Sequence, residues 1–348
     1  MYKSFSVKNF RGFKELEFNG LDHINIIAGR NNTGKTALLE ALFLHCGAIN
    51  PSLSLRVNAF RGMERISVVG DPTAELPWNS LFYNFDINAP INLIGIDRND
   101  KKRVVALYSE KLKSVTLPVG IEQPALIPDA LSLEYKDDKG KTYKVQMRFE
   151  QRGPVMEPVL PVPFPTSFVA ARRALGPVED ATRYGNLEIQ KKEGILVETL
   201  KCLEPRLSRL AVIVINGEPT IHGDIGTGRL IPLPLMGEGK VRLASIVLAI
   251  TTSQDGVVLI DEVENGLHHS IMVDIWKGIG RVATQFFTQI FATTHSLECI
   301  QSAHQAFRGS AAYDLRVHRL DRNESKTSVA TYDQETLEAA IQSGLEIR

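Results

Sequence analysis

The spacing of apolar residues predicts three strands and a helix at the start of the chain. Apolar and polar side chains alternate on both sides of Arg11-Gly12, which indicates two short strands joined by a turn. Residues 23–29, "HINIIAG", are rich in β-branched side chains and predict a buried strand. Residues 35–46, "KTALLEALFLHC", have apolar positions at helical spacing, whereas residues 50–85 are irregular.

Strand-like runs dominate the stretch from Ile91 to Glu150. They are "INLIGI", "RVVALYSEKL" and "ALSLEYKDDKGKTYKVQMRFE", and the last contains a turn at Asp137–Gly140 that predicts a hairpin. No helical crossover separates these runs, so we expect an antiparallel sheet. Residues 153–167 then carry five prolines, which exclude a helix or a central strand. We interpret this segment as the seam between two lobes.

Buried strands alternate with helices after residue 166. The predicted strands are "SFVAA", "LAVIVING", "PTIHGD", "GVVLIDE" and "TQIFATTHS", and the predicted helices cover residues 187–203, 240–253 and 270–286. A hairpin, "YDLRVHRL…SVATYD", and a helix, "QETLEAAIQSGLEI", follow. This alternation is typical of an α/β layer with parallel strands. The predicted fold class is therefore α/β, with a mixed or parallel sheet core and an antiparallel β lobe.

Composition narrows the class of protein only slightly. The chain has 348 residues with 40 Lys+Arg and 40 Asp+Glu, so no overall basic field favours wrapping nucleic acid. Cys46, Cys202 and Cys299 lie far apart and form no CxxC pair, which predicts free thiols. No apolar run approaches the 18 or so residues of a membrane span, and no secretion signal begins the chain. We expect a cytoplasmic protein that does not contact a membrane.

The segment between the third strand and the first helix fits the phosphate-binding pattern G-x-x-x-x-G-K-[ST]. Its glycines allow a sharp bend close to a polyphosphate, while the loop amides and the helix N-terminus present partial positive charge. Lys35 is expected to bridge the β- and γ-phosphates of ATP, and the Thr36 hydroxyl to ligate Mg²⁺. The predicted nucleotide-binding residues are Gly29, Asn31, Asn32, Thr33, Gly34, Lys35, Thr36 and Ala37.

Two acids and a histidine follow later buried strands. Asp261 and Glu262 end "VVLI", and a bound Mg²⁺ gives two adjacent carboxylates a reason to lie there. Asp261 is expected to hold the metal, and Glu262 to orient and deprotonate an attacking water. His295, after the next buried strand, is expected to hydrogen-bond the γ-phosphate and that water. The predicted catalytic residues are therefore Lys35, Glu262 and His295.

Each of these motifs also has a plainer interpretation. The glycine loop taken alone is consistent with a turn that caps a helix and leaves Lys35 solvated. The acids are consistent with a solvated strand end, and His295 with a structural histidine. The three motifs together, in this order, favour ATP and Mg²⁺ binding.

The three motifs resemble the nucleotide-binding head of an ABC-class ATPase, in the non-transporter branch that includes RecF, the SMC proteins and the overcoming-lysogenization-defect (OLD) nucleases. "FSVKNFRGFKELEF", "LPLMGEGKVRLASIVLAI", "VVLIDEVENGLHHS" and "QIFATTHSLECI" are most similar to the stand-alone ATPases of the OLD group, of the AAA-15/AAA-21 type. The resemblance implies one ABC-type head over residues 1–348. Residues 1–165 would carry the P-loop and the antiparallel lobe, with a variable insertion at about 50–165. Residues 166–348 would carry the signature loop, the Walker B strand and the histidine switch.

In this family two heads enclose two ATP molecules, and the signature loop of each head caps the nucleotide of the other. Leu235 to Gly239 takes the place of the usual L-S-G-G-Q, so the resemblance assigns Gly237, Glu238 and Gly239 to nucleotide contact. Met236 replaces the usual serine, which puts the strength of the dimer clamp and the rate of hydrolysis in question. An ordinary glycine N-cap is the alternative for this loop.

Four other positions were considered on the same resemblance. His268 and His269, at the D-loop position, are interpreted as surface or dimer-contact residues rather than metal ligands. Arg11 either approaches the nucleotide or is a solvated turn arginine. Arg172-Arg173 either faces a phosphate or partner, or forms a salt bridge at a helix edge. The glutamine that senses Mg²⁺ in the family has no assigned position.

The resemblance also suggests a partner. OLD nucleases carry a Toprim domain after the ATPase, but residues 296–348 contain no DxD pair. We therefore expect an ATPase that dimerises on ATP and regulates a separately encoded nuclease of Toprim or HNH type, as in anti-phage defence. Contact with nucleic acid, direct or through the partner, stays open. The alternatives are a RecF-like DNA-repair ATPase and a nucleotide-dependent scaffold with little hydrolysis.

Overall fold

A computed structural model describes residues 1–62, 76–111, 129–150, 153–157, 164–171, 176–309, 313–323 and 326–348. The strands are β1 (Tyr2–Phe10), β2 (Phe13–Asn19), β3 (Ile24–Ala28), β4 (Ile91–Asp97), β5 (Lys102–Lys111), β6 (Asp129–Lys136), β7 (Thr142–Glu150), β8 (Gly153–Glu157), β9 (Thr166–Val169), β10 (Arg209–Ile215), β11 (Glu218–Asp224), β12 (Ile231–Pro232), β13 (Val257–Ile260), β14 (Gln289–Thr293), β15 (Leu315–Asn323) and β16 (Lys326–Tyr332). The α-helices are α1 (Lys35–Cys46), α2 (Leu53–Ala59), α3 (Pro177–Ile189), α4 (Gly194–Leu200), α5 (Glu238–Thr252), α6 (Met272–Gln285), α7 (Leu297–Phe307) and α8 (Gln334–Gln342).

A six-stranded sheet forms the centre of the molecule, in the order β16-β15-β3-β14-β13-β9. Its neighbouring strands run parallel except for β16, which pairs antiparallel with β15. Every residue of β3, β13 and β14 is buried, as expected for parallel strands covered on both faces. The prediction of a parallel α/β layer is confirmed.

The second large sheet is entirely antiparallel, in the order β2-β1-β4-β5-β6-β7-β8. The predicted hairpin at Asp137–Gly140 joins β6 to β7, so the antiparallel lobe is confirmed. The strand β8, from the proline-rich segment, lies at the edge of this sheet, where proline costs no ladder hydrogen bond. The prolines at positions 158, 161 and 163 lie outside the described residues.

Helix α1 packs between the two sheets, and this position fixes the loop before it. Ten of its twelve residues are buried, and Leu38, Leu42 and Phe43 join the core that includes β1, β4 and β5. Helices α3 to α8 contribute to a second core on the other face of the parallel sheet. Burial on both sides holds β3 and α1 rigidly, so the loop between them is a fixed platform.

The predicted helix over residues 187–203 is wrong in its bounds. The chain forms α3 and α4 instead, with a break between Ile189 and Gly194 where Lys191 has a φ angle of 56°. A left-handed residue cannot continue a right-handed helix, so the apolar spacing on either side belongs to two helices. The first of them begins at Pro177, a residue suited to a helix start. Helix α7 was not predicted either. Arg172-Arg173 lies outside the described residues.

In the described ranges, none of the helices combines the length and apolarity that crossing a membrane requires. The remaining small sheet, in the order β10-β11-β12, is antiparallel and leads directly into the turn before α5. It therefore positions the loop at Leu235 to Gly239, which the sequence singled out.

A buried acid in α3 makes stability depend on pH. Asp180 is 6% exposed, Ser245 donates to one of its carboxylate oxygens, and the other oxygen has no partner. Burial raises the pKa of Asp180 to about 7. The folded state therefore keeps a proton that the unfolded chain releases near pH 4, and stability falls as pH rises through this window.

We expect Asp180→Asn to remove this dependence. Between about pH 5 and pH 8 the variant should gain roughly 2 to 3 kcal/mol of unfolding free energy relative to wild type. Urea unfolding of both proteins at the two pH values measures the difference. A gap between the two proteins that stays constant with pH would contradict the assignment.

Candidate active site

The loop after β3 depends on its two glycines. Gly29 and Gly34 have φ angles of +144° and +104°, which residues with a Cβ rarely adopt. A Cβ at position 29 would lie 2.7 Å from the Leu320 carbonyl oxygen, and one at position 34 would lie 2.6 Å from the Phe13 ring. The local sequence thus produces the bent loop that its pattern predicts, and α1 starts directly after it.

Lys35, the first residue of α1, turns back over the loop. Its Nζ donates to the carbonyl oxygens of Gly29 at 2.6 Å and Arg30 at 3.0 Å. Burial lowers the pKa of the Lys35 ammonium, and the carboxylates of Asp261 and Glu262 act in the opposite direction. The structure therefore brings the predicted lysine and the predicted acids into one electrostatic neighbourhood.

The other predicted loop residues follow the same bend. Asn31 and Asn32 are exposed, and Asn32 adopts a left-handed φ of 65° that asparagine tolerates. Thr33 and Ala37 are buried, and Thr33 Oγ1 donates to the Arg30 carbonyl at 2.9 Å. The two asparagines are therefore the loop side chains most open to a ligand.

The loop meets the end of β13 through a hydroxyl and a carboxylate. Thr36 Oγ1 donates to the two carboxylate oxygens of Asp261 at 3.0 and 3.2 Å. Thr293, at the end of β14, donates to Asp261 Oδ1 at 2.6 Å. Burial raises the pKa of Asp261, and the hydrogen bonds from Thr293 and Thr36 lower it. Three separate elements thus converge on one carboxylate.

This group of oxygens fits Mg²⁺. The ion favours one or two carboxylates, a hydroxyl and the phosphates of a substrate over a full cage of protein ligands. Thr36 and Asp261 supply such a hydroxyl and carboxylate within hydrogen-bond distance of each other. Over the described ranges, no cluster of three or more His, Cys, Asp or Glu side chains is placed to hold a metal by itself.

Glu262 lies directly after Asp261 with an unusual backbone. Its φ angle is 48°, and its N–H donates to Thr293 Oγ1 at 2.8 Å. Asn265 donates to its Oε2 at 2.8 Å. A left-handed conformation at a non-glycine residue costs free energy and is common at functional sites. The bend directs Glu262 away from Asp261 and gives it a fixed partner.

His295 is held by an acid that the sequence did not single out. Glu264 Oε1 accepts from Thr294 Oγ1 at 2.8 Å and from the His295 backbone N–H at 3.0 Å, and it lies 3.2 Å from His295 Nδ1. The His295 side chain remains about half exposed, at 53%. The imidazole is therefore fixed through Nδ1, which leaves Nε2 free to meet a ligand.

A buried arginine supports the end of β13 from below. Arg242, in α5, is 5% exposed. Its guanidinium donates to the carbonyls of Asp261 at 2.6 Å, Glu262 at 3.2 Å and Ala170 at 2.6 Å. One rigid fork thus satisfies three carbonyls at the point where the backbone bends.

The loop at the signature position directs its side chains in opposite ways. Leu235 is 78% exposed, whereas Met236 packs inward, its Sδ 2.9 Å from where a Cβ of Gly223 would lie. Gly237 and Glu238 are exposed, and Gly237 has a φ angle of 118°. The residue in the serine position is therefore a core contact, and the loop presents backbone and Glu238 to solvent.

Two further predicted positions have structural roles. Arg11 Nε donates to the fully buried Glu40 of α1 at 3.1 Å, and its side chain is 10% exposed, so the solvated alternative is wrong. Its remaining guanidinium bonds go to Asn58 and Ser80. His268 and His269 lie on the surface with ring centroids 4.2 Å apart.

Sequence reasoning missed several residues of the site. They are Arg242, Glu264, Asn265 and Thr293. A charged residue inside the apolar run of α5 was a signal for the first of them. Consecutive threonines at the end of a fully buried strand were a signal for the last.

The fold and the site together define a P-loop ATPase with an ABC-type fold. The chain belongs to the family described as "AAA domain, putative AbiEii toxin, Type IV TA system", whose profile matches residues 48–300. The match begins after the phosphate-binding loop, so the two observations are independent.

Comparisons with single proteins agree with this class. The chain is 24% identical over 374 aligned positions to a Helicobacter pylori protein named ATP/GTP phosphatase, covering 97% of each chain. It is 50% identical over 48 residues to the uncharacterized protein MJECL10 of Methanocaldococcus jannaschii, covering 14% of this chain and 22% of that one. The crystal structure of an Smc head bound to the C-winged helix domain of ScpA has the same fold, with a TM-score of 0.53 and 13% identity over 98% of this chain and 99% of that chain.

Proposed function

We propose that this site hydrolyses the γ-phosphate bond of ATP with Mg²⁺, and that two copies of the chain assemble around the nucleotide to do so. The observation that carries the proposal is the hydrogen bond from Thr36 to Asp261. It joins the phosphate-binding loop to the acidic strand end in one chain, at the position that a metal-bound triphosphate requires. The Helicobacter pylori relative, named for ATP and GTP, supports the choice of substrate.

Each side chain has a role that follows from its contacts. The Lys35 ammonium, already over the loop, neutralises the β- and γ-phosphates. Glu262, oriented by Asn265, accepts a proton from the attacking water, and His295 donates through Nε2 to the γ-phosphate. Thr36 and Asp261 would hold Mg²⁺, which when bound stabilises the negative charge that develops on the phosphates. Hydrolysis forms the bond from water oxygen to γ-phosphorus and breaks the β–γ bridge, releasing ADP and phosphate.

Exposure of the signature loop supports assembly around ATP. Gly237, Glu238 and Gly239 make no hydrogen bond to residues 29–37 within the chain, although all of these residues are described. A loop that opens a helix with exposed backbone amides suits an anion on a second copy. Met236 packs inward and supplies no hydroxyl there, so we propose slow turnover.

We further propose that the ATPase cycle of this OLD-like head controls a separate effector, a nuclease in anti-phage defence. The family description names a toxin system, and the similar Smc head was crystallised with a partner domain. The inward Met236 also favours a second candidate, a nucleotide-dependent scaffold in which binding alone drives assembly. Single-turnover hydrolysis separates the two, because a scaffold leaves bound ATP intact.

Light scattering tests the assembly. With Mg²⁺ and a non-hydrolysable ATP analogue, the mass of the 38.6 kDa chain should double. Lys35→Met should bind the analogue at least about tenfold more weakly, because it loses a charge-assisted contact, and should stay monomeric. A mass that is the same with and without the analogue in wild type would remove the proposal of ATP-driven dimerisation.

A further inference from the structure

A cavity of about 730 Å³ adjoins the outer side of the phosphate-binding loop. Its walls are the loop residues Arg30–Thr33 and the end of β15 at Arg319–Asn323. β15 pairs in parallel with β3, so the carboxyl ends of both strands meet at the same edge of the sheet. Ligands of open α/β sheets bind at this edge.

The direction of a bound triphosphate follows from the strand order. In the sheet, β14 and β13 lie on one side of β3, and β15 lies on the other. The groups that act on the γ-phosphate, Asp261, Glu262 and His295, follow β13 and β14. A triphosphate whose γ-end lies there and which passes over Lys35 has its nucleoside end on the β15 side.

We propose that the cavity between Arg30–Thr33 and Arg319–Asn323 is the nucleoside subsite of the enzyme, and that it accepts both adenine and guanine. This inference rests on the proposed function, since it needs a triphosphate over Lys35. The cavity volume falls within the range of small-molecule sites and accommodates a base and a ribose.

Two arginines of the cavity are available to a base. Arg30 and Arg322 are exposed and form no ion pair with a described residue. The one hydrogen bond that Arg322 makes with the described residues goes from its NH1 to the Asn32 carbonyl at 3.5 Å, and its guanidinium also passes over Gly12. Guanidinium planes stack on aromatic rings without reading their edges. Arg322 therefore reaches the loop itself and is placed to cover a base next to it.

Tolerance of both purines follows from the polar groups of the cavity. A carboxylate that is free to accept from guanine N1–H and N2 would select guanine. Asp321 is bound by Arg319 at 2.7 Å, and Glu346 by Arg348 at 3.2 Å. The side chains of Asn32, Asn323 and Ser328 both donate and accept hydrogen bonds, so they suit either base edge.

Calorimetry of the full chain with Mg²⁺ tests the subsite. The ligands are non-hydrolysable analogues of ATP and GTP, and inorganic tripolyphosphate, which lacks a nucleoside. We expect the Kd values of the two analogues to agree within about tenfold in wild type, and Arg322→Ala to weaken both by about tenfold through the lost stacking. The Kd of tripolyphosphate should change by less than about twofold. Arg30→Ala should behave in the same way with a smaller effect, and Arg308→Ala, which removes an exposed arginine of α7, should change none of the three.

The other outcomes separate this inference from the proposed function. If Arg322→Ala and Arg30→Ala bind both analogues as wild type does, the subsite is elsewhere although the nucleotide still binds. If tripolyphosphate weakens as much as the analogues, Arg322 contacts phosphate, and the inference is also overturned. A preference of more than about a hundredfold for one purine would overturn the tolerance. Wild type that binds none of the three ligands contradicts the proposed function and this inference with it.

Discussion

Glu262→Gln should lower the ATP turnover number by at least about a hundredfold, because glutamine cannot accept the proton of the attacking water. ATP binding should persist, since the loop, Lys35 and Asp261 are unchanged. Glutamine keeps the size of the side chain and the oxygen that accepts from Asn265, so the fold should be retained. With hydrolysis blocked, the ATP-bound dimer should accumulate. Phosphate release under saturating ATP and Mg²⁺ gives the rate, and light scattering gives the mass.

Glu298→Gln is the matched control for this variant. Glu298 opens α7 only a few residues beyond His295, and its hydrogen bonds go to Ser296 and its own backbone. Its substitution should leave turnover within about twofold of wild type, as expected for a surface exchange. Turnover by Glu262→Gln within tenfold of wild type would mean that another group activates the water.

Arg242→Met should produce the second large effect, on stability and turnover together. The substitution leaves the buried carbonyls of Ala170, Asp261 and Glu262 without a donor. We expect a loss of roughly 3 kcal/mol of unfolding free energy, from about 1 to 3 kcal/mol for each unsatisfied group partly offset by relaxation. Turnover should fall more than about tenfold with little change in KM, because small displacements of the acids affect the reaction more than binding. Urea unfolding and steady-state kinetics measure the two effects.

Arg242→Lys distinguishes positioning from simple loss of stability. An ammonium retains charge but lacks the planar fork, so it satisfies fewer of the three carbonyls. The folded variant should recover part of the stability and still turn over ATP more slowly than wild type. If Arg242→Met is folded and has the wild-type turnover number, then Arg242 does not position the acids.

The strand, loop and helix at residues 23–46 could be predicted because their signals are local. Alternating or helical spacing and glycines that need unusual φ angles act over a few residues, and Gly29 and Gly34 have those angles. The same holds for the buried strands before Asp261 and His295. The break between α3 and α4 depends on one left-handed lysine, Lys191, which apolar spacing does not reveal.

The supporting residues of the site could not be predicted, because their partners are distant in sequence. Thr293 meets Asp261 only when β14 pairs with β13. Arg242 reaches the same strand end from α5, and its partner Ala170 follows β9. Arg11 looked like a turn arginine because Glu40, its buried partner, lies on the far side of the loop in sequence. Strand pairing and helix packing, rather than local pattern, create these contacts.

The central claim is that a triphosphate and Mg²⁺ bind between Lys35 and the acids Asp261 and Glu262. A crystal structure of Glu262→Gln grown with ATP and Mg²⁺ tests it most directly. We predict phosphates along residues 29–37, with the metal bound to the Thr36 hydroxyl and with Asp261 in its coordination sphere or one water away. Nucleotide bound elsewhere, or a metal that touches neither Thr36 nor the water next to Asp261, would contradict the account.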